Sequence, residues 1–218
     1  MKTLTTALLV SLLSITTAQA SSPSDLQNKI AISNQASLNG ASATITINSK
    51  TYLYKIDAKG NSSVSNKGKL LEMRSALGAN YIALSSIPDL LPRKLTPAQT
   101  QYLKKQRTYL LLDTKTYQTL TPTLTDTLAS LANQSENAIN PSSNLKYEET
   151  KGYQRYSFMT TIGTYKTLTF DKKSKLIAAI IRNGSETYTI KYRYGKQKIQ
   201  TNLKVTTLDE LTKAGITL

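Results

Sequence analysis

The side chains that most often do chemistry in proteins are either missing from this sequence or scattered along it. The 218 residues include no histidine and no cysteine, which excludes Ser-His-Asp and Cys-His catalysis and every metal site built on imidazole or thiolate. Thirteen carboxylates remain, and their close pairs are Glu148-Glu149 and Asp209-Glu210. The sequence contains no glycine-rich phosphate loop and no Ser-x-x-Lys motif in a strand-turn-helix setting.

Neither carboxylate pair suits acid-base catalysis. Neighbouring residues of a strand point to opposite faces, so Glu148 and Glu149 cannot share a proton or flank one bond. Asp209 and Glu210 lie at a predicted helix start, where acidic groups interact favourably with the helix dipole. We therefore expect a protein that is not an enzyme and that uses no cofactor and no metal.

Basic side chains outnumber acidic ones by 28 to 13, which gives a formal net charge of +15. A charge of this sign favours anionic partners such as lipid head groups or anionic polymers. The candidate contact with an anionic membrane surface or polymer is a short cluster formed by Lys191, Arg193, Lys196 and Lys198. A merely solvated protein face has the same composition, and both interpretations stay open.

The stretch Glu186 to Gly195, ETYTIKYRYG, alternates with period two. This spacing predicts a strand with Tyr188, Ile190, Tyr192 and Tyr194 on one face and Lys191 and Arg193 on the other. The tyrosine face is either the inner side of an ordinary core or the wall of a cavity. Nucleic acid is an unlikely partner, because such a site needs aromatic and basic side chains on the same face.

The first 20 residues have the features of an export signal. Lys2 is followed by a short apolar run and then by Ala18-Gln19-Ala20, the small-x-small pattern of a signal-peptidase site. We expect cleavage after Ala20 and one domain over 21–218. Without a cysteine there is no lipid attachment site, so the expected product is periplasmic or secreted and not anchored in a membrane.

The remaining patterns predict one antiparallel sheet of about eight to ten strands, interrupted mid-chain by two helices. Ser22-Pro23 begins a short helix, Thr96-Pro97 with Gln99 has capping-box spacing, and Thr121-Pro122 opens the helix that carries Leu124, Leu128 and Leu131. The polar run from Ala58 to Lys69 reads either as a hairpin tip or as a weak continuation of the second strand. Asn183-Gly184 is the strongest hairpin signal and predicts the central pair of a tight turn.

The last third, TLTFD, a basic turn, LIAAIIRNG and then ETYTIKYRYGKQKI, resembles the closing strands of the bacterial LolA-like fold. That group includes the periplasmic carrier LolA and the lipid-carrying lipoproteins of the LprG and LppX type. RTYLLLDTK with the following helix, and YEETKGYQRYSFMTT, resemble its middle section. The resemblance covers about residues 41 to 200 and departs from LprG and LppX in lacking the anchoring cysteine.

The resemblance implies an α+β fold, a strongly curved antiparallel half-barrel closed by a few short helices, with an apolar cavity for acyl chains. On this hypothesis the cavity residues are Leu84, Leu111, Leu124, Leu128, Leu131, Phe158, Tyr188, Ile190 and Tyr192. The implied function is to hold a lipid or a lipidated partner. The alternative is an envelope protein that binds a protein or an anionic polymer through its basic surface, with a filled interior. The sequence does not indicate an oligomeric state.

Overall fold

The computed structural model describes residues 22–90, 95–113, 124–132 and 145–216. Within these ranges one open, curved sheet of twelve strands is accompanied by five short helices. The helices are α1 (Pro23–Ser37), α2 (Ile87–Leu90), α3 (Pro97–Lys105), α4 (Leu124–Ala132) and α5 (Leu208–Lys213). The strands are β1 (Ala41–Ile47), β2 (Lys50–Ile56), β3 (Ser62–Asn66), β4 (Lys69–Arg74), β5 (Asn80–Ala83), β6 (Tyr109–Leu112), β7 (Lys146–Glu149), β8 (Tyr153–Met159), β9 (Tyr165–Asp171), β10 (Leu176–Asn183), β11 (Glu186–Tyr194) and β12 (Val205–Thr206).

The strands lie in the order β12-β6-β5-β4-β3-β2-β1-β11-β10-β9-β8-β7. Neighbouring strands are antiparallel except at one edge, where β12 runs parallel to β6. The two halves of the chain meet where β1 pairs with β11, with Ile45 opposite Ile190. This architecture confirms the predicted α+β class and the predicted curved antiparallel sheet.

The two faces of the sheet differ as the alternation of β11 predicts. On the inner face, defined as the face that α4 covers, Ile190 is fully buried and packs with Ile45 and Leu128. Tyr188, Tyr192 and Tyr194 share that face and are half-buried. Lys191 and Arg193 are exposed on the opposite, outer face.

The strand count is higher than predicted because the polar run after β2 contains a complete strand. In β3 a single apolar side chain, Val64, is fully buried, while Ser62 and Ser63 are buried beside it. A strand with one apolar residue shows no apolar-polar alternation, so periodicity does not detect it. The turn that follows, with positive φ at Lys67 and Gly68, is of the tight type that joins β3 to β4. The two-residue strand β12 was also missed.

The apolar core has two parts. The larger part lies between the sheet and helices α1 and α4 and includes Leu26, Leu128 and Phe170. The smaller part lies under α2, α3 and α5 and includes Ile87, Leu103 and Leu211. Helix α4 contacts β1 to β4, and α1 contacts β10, so these two helices lie across the middle of the curved sheet.

The helix start signals are confirmed where the structure describes them. Ser22 caps α1 with proline at the first position, and the helix extends to Ser37. Thr96 and Gln99 form the predicted capping box of α3. The signal segment with its cleavage site at Ala20, and the Thr121-Pro122 start of α4, lie outside the described residues.

The predicted turn between β10 and β11 is displaced by one residue. Asn183 pairs with Glu186 as the last rung of the hairpin, so the central pair is Gly184-Ser185 instead of Asn183-Gly184. Gly184 has φ of +57°, whereas Ser185 is not in the positive-φ region. Glycine with positive φ at the first central position is the pattern of a type II′ turn.

Replacing Gly184 with Val should destabilise the protein by about 1 kcal/mol or more, because a β-branched residue resists positive φ. The matched control is Gly152→Val in the turn between β7 and β8, where φ is not positive and an added Cβ meets no atom within 4 Å. Thermal or urea unfolding of both variants measures the difference. Equal midpoints would contradict the assigned turn.

Candidate functional site

A cavity of about 380 Å³ lies between the inner face of the sheet and helices α1 and α4. Helix α1 lines it with Ile30, Ser33, Asn34, Ser37 and the following Leu38, and α4 lines it with Ala129 and Ala132. The sheet contributes Ala41, Ser42, Ala43, Tyr54, Ile56, Leu176, Tyr192 and Tyr194. The site therefore joins parts of the chain from both ends of the sequence.

The cavity exists because short side chains stand where the helices cross the sheet. Ala43 lies opposite Tyr54 on β2 and opposite Tyr192 on β11, so an alanine sits between two tyrosines on the inner face. Above it, α4 presents Ala129 and Ala132, which are three apart and share a helix face. Larger residues in these places would fill the space, as Ile45 and Leu128 do in the adjoining core.

The hydroxyl groups around the cavity are mostly satisfied by the protein itself. Tyr192 donates to the carbonyl of Ala132 at 3.2 Å, and Tyr194 donates to the carbonyl of Leu176 at 2.9 Å. Ser33 donates to the carbonyl of Lys29 and accepts from the Leu176 N–H. Burial raises the pKa of Tyr194, which keeps its hydroxyl protonated. With the hydroxyls of Ser33, Tyr192 and Tyr194 engaged and no charged side chain among its lining residues, the cavity wall is mostly apolar.

Polar contacts hold α1, the outermost wall of the cavity, against the sheet. Lys29, buried under the helix, donates to the Ser174 hydroxyl at 3.2 Å, and its Nζ lies 3.8 Å from Asp25 Oδ1. The Tyr156 hydroxyl donates to Asp25. Burial, with a hydrogen bond to Glu149, raises the pKa of the neighbouring Tyr147 to about 12. The contacts of Lys29 and Asp25 hold α1 against β8 and the turn between β9 and β10.

The residues that the sequence assigned to one cavity fall into several places. Tyr192 lines it. Ile190, Leu128 and Phe158 are buried in the adjoining core, with Tyr188 and Leu131 packed against that core. Leu84 lies in the separate core part under α2 and α3. Leu124 is the first residue of α4.

Leu111 was assigned to the wrong face of the sheet. In β6 the buried residues are Leu110 and Leu112, which belong to the core part under α2 and α3. Leu111 is opposite Tyr81, which is in turn opposite Met73, and this row lies on the other face. An apolar run of four residues gives no alternation from which the inward-facing set could be chosen.

Sequence reasoning missed the small residues and the contribution of α1. The cavity depends on Ala43, Ala129 and Ala132, and apolar patterns emphasise large side chains instead. The signal that was available is the three-residue spacing of the two alanines in α4. Of the basic candidates, Lys191 and Arg193 lie exposed on the outer face, and Lys196 and Lys198 lie exposed in the irregular segment after β11.

Within the described ranges, no three histidine, cysteine or acidic residues come together as metal ligands would. None of the helices in that part of the chain has the length and apolar character needed to cross a membrane.

No family model matches the sequence, and no curated protein matches it. Among solved structures, the chain is similar to the lipoprotein LppX from Mycobacterium tuberculosis, at 9% identity and a TM-score of 0.43, over 83% of this chain and 100% of that one. It is similar to LprF from Mycobacterium bovis, at 9% identity and a TM-score of 0.37, over 83% and 97%. It is also similar to a LolA superfamily protein from Nitrosomonas europaea, at 9% identity and a TM-score of 0.28, over 84% and 96%.

A lysine occupies the inner face at a distance from the cavity. Lys166 of β9 is 5% exposed and lies between Phe158 on β8 and Ile181 on β10, both core residues. Burial lowers its pKa from 10.5 to about 8, because the charged form is desolvated. The unfolded chain therefore binds a proton more tightly than the folded protein does.

Stability should rise as the pH increases from about 8 to about 10.5, because in that window the unfolded state holds more protons at Lys166 than the folded state. Lys166→Met should remove this rise and leave the other titrations in place. The free energy of unfolding, measured by urea denaturation at several pH values, gives the difference between the two proteins. A difference that does not change across this window would contradict a buried, destabilised charge. Lys191→Met on the exposed outer face is the control, and its free energy of unfolding should depend on pH in the same way as that of the wild type.

Proposed function

We propose that this protein is an exported binding protein that holds the acyl chain of a lipid, or of a lipidated partner, between α1, α4 and the sheet. The observation that supports this is the cavity itself. Its volume of about 380 Å³ falls in the range of ligand pockets, about 300–1,000 Å³. Its alanine, isoleucine and leucine side chains and its tyrosine rings favour an apolar occupant, and a charged group placed inside would lose hydration without a charged partner.

The segment 1–20 supports the export part of the proposal, with cleavage after Ala20 and one domain over 21–218. The inward-facing hydroxyls suit a lipid better than a small polar ligand. Tyr192, Tyr194 and Ser33 already bond within the protein, which reduces the number of groups free to orient a sugar or an amino acid. We accordingly expect selection by chain length and shape more than by head-group chemistry.

A second candidate function is binding of an anionic partner on the outer face. The observation in its favour is the exposure of Lys191 and Arg193 there. This function needs no ligand in the interior. It predicts that loss of the two charges removes function while changes inside the cavity have no effect.

Ala129→Phe should abolish or weaken by at least about tenfold the binding of a fluorescent fatty acid, because a phenyl group occupies the space above Ala43. The matched control is Ser130→Phe, one residue along α4 and exposed. Ile190 is less suitable for this test, since it is fully buried and enlarging it overpacks the core. Fluorescence titration, with circular dichroism to show that both variants fold, gives the comparison.

If folded Ala129→Phe binds the probe with unchanged affinity, the probe does not bind in this cavity and the proposal is wrong. Lys191→Gln with Arg193→Gln should leave probe binding intact, whereas the second candidate function requires this pair to be the damaging one. Native mass spectrometry of the exported protein, followed by organic extraction, identifies the ligand carried from the cell.

A further inference from the structure

The cavity opens at one end of the strands. Its exposed lining residues are Asn34 and Leu38, at the end of α1, whereas Ala43 deeper in the sheet is 2% exposed. Ala41, at this same end, lies opposite Ile56 and Tyr194. The loops at 38–40, 57–61, 171–175 and 195–198 adjoin cavity-lining residues, and we call this the mouth end.

A fifth loop, 75–79, belongs to the mouth end as well. The side chain of Asn61 accepts a hydrogen bond from the Ala76 N–H at 3.1 Å and so joins this loop to 57–61. Asp57 fixes the 57–61 loop by accepting from the N–H groups of Lys59 and Asn61. The mouth end is thus a set of turns held by internal hydrogen bonds.

The loops of the mouth end are rich in lysine. Its loops carry the six lysines Lys59, Lys172, Lys173, Lys175, Lys196 and Lys198. All of them except Lys175 are exposed. Two carboxylates accompany them, and both accept backbone N–H groups in their own turns. The opposite end of the described chain is also basic, with Lys67 in a turn and Lys104, Lys105 and Arg107 in the connection from β5 to β6. The mouth end differs in that its lysines surround the opening of the cavity.

Two large apolar side chains project from the same end. Leu38, at the lip of the cavity, is 63% exposed, and Leu77 in the 75–79 loop is 98% exposed. Single exposed leucines are ordinary. Leucines that flank a lysine-rich rim have the arrangement of a surface that lies in the interface of an anionic bilayer, with cations at the head groups and apolar tips below them.

We propose that the mouth end docks on an anionic lipid bilayer and turns the opening of the cavity toward the lipid. Lys172, Lys173 and their neighbours attract the surface, and Leu38 and Leu77 enter it. The cavity entrance then faces the phase in which acyl chains are found. The outer face with Lys191 and Arg193 points sideways and contributes only through long-range attraction. Docking is independent of whether the cavity holds a ligand.

The test is flotation of the full protein with phosphatidylcholine vesicles, with and without phosphatidylglycerol. Lys172→Gln with Lys173→Gln should weaken binding to the anionic vesicles about 30-fold, from about 1 kcal/mol per lysine at the surface. Lys191→Gln with Arg193→Gln removes the same charge from the outer face and should weaken binding less than about fivefold. Leu77→Ser should reduce binding, whereas Ile162→Ser, at the opposite end and 80% exposed in the wild type, should not.

Equal losses from the two charge pairs would overturn oriented docking, and so would equal losses from the two serine variants. Absence of binding to anionic vesicles, together with tight binding to soluble polyphosphate, would assign the rim to a polymer and overturn the proposal. Fatty-acid binding by the same variants in solution separates the two proposals. A protein that docks through the mouth end but takes up no fatty acid would contradict only the proposed function.

Discussion

The pairing of β1 with β11 is the contact on which the rest of the structure depends. These strands are far apart in the chain, and their register from Ala41–Tyr194 to Ile47–Tyr188 closes the middle of the sheet. At its end Gly195 donates to the carbonyl of Gly40 at 2.9 Å. A Cβ at Gly40, where φ is +99°, would lie 2.8 Å from the Gly195 carbonyl oxygen, so the approach of the two strands requires glycine there.

This pairing also creates the cavity. It sets Tyr192 beside Ala43, and β2 sets Tyr54 on the other side, so one short side chain is flanked by two long ones. The helices then cross the sheet with alanines at the crossing. A close-packed interior would put larger groups in these places, as the neighbouring core does. The protein gives up this packing at one location and keeps it at Tyr156, Phe158 and Phe170, which are fully buried.

The lysines around the cavity opening come from distant parts of the chain. The turns around the cavity opening carry six lysines together with Leu38 and Leu77. The strand order produces this arrangement, because antiparallel strands return alternate turns to the same end. Lysines that are more than a hundred residues apart in sequence, such as Lys59 and Lys172, therefore lie along one rim.

Much of the fold could be predicted from the amino-acid sequence. Period-two alternation in β11, the start signals of α1 and α3 and the turn residues are local, and local sterics and hydrogen bonding decide them. The absence of histidine and cysteine likewise limits the chemistry, because no fold can supply a side chain that the sequence lacks. Strand β3 escaped prediction because its burial comes from its neighbours and not from its own composition.

Packing in three dimensions determines which inward-facing residues line a cavity and which fill the core. Ile190 and Tyr192 have the same orientation on β11, yet Ile190 is buried under α4 while Tyr192 borders open space. The difference arises from Ala43 of β1 and from Ala129 and Ala132 of α4, which meet only in the folded chain. Periodicity gives the face of a residue, but the volume left beside it depends on side chains distant in sequence, and that quantity exists only after packing.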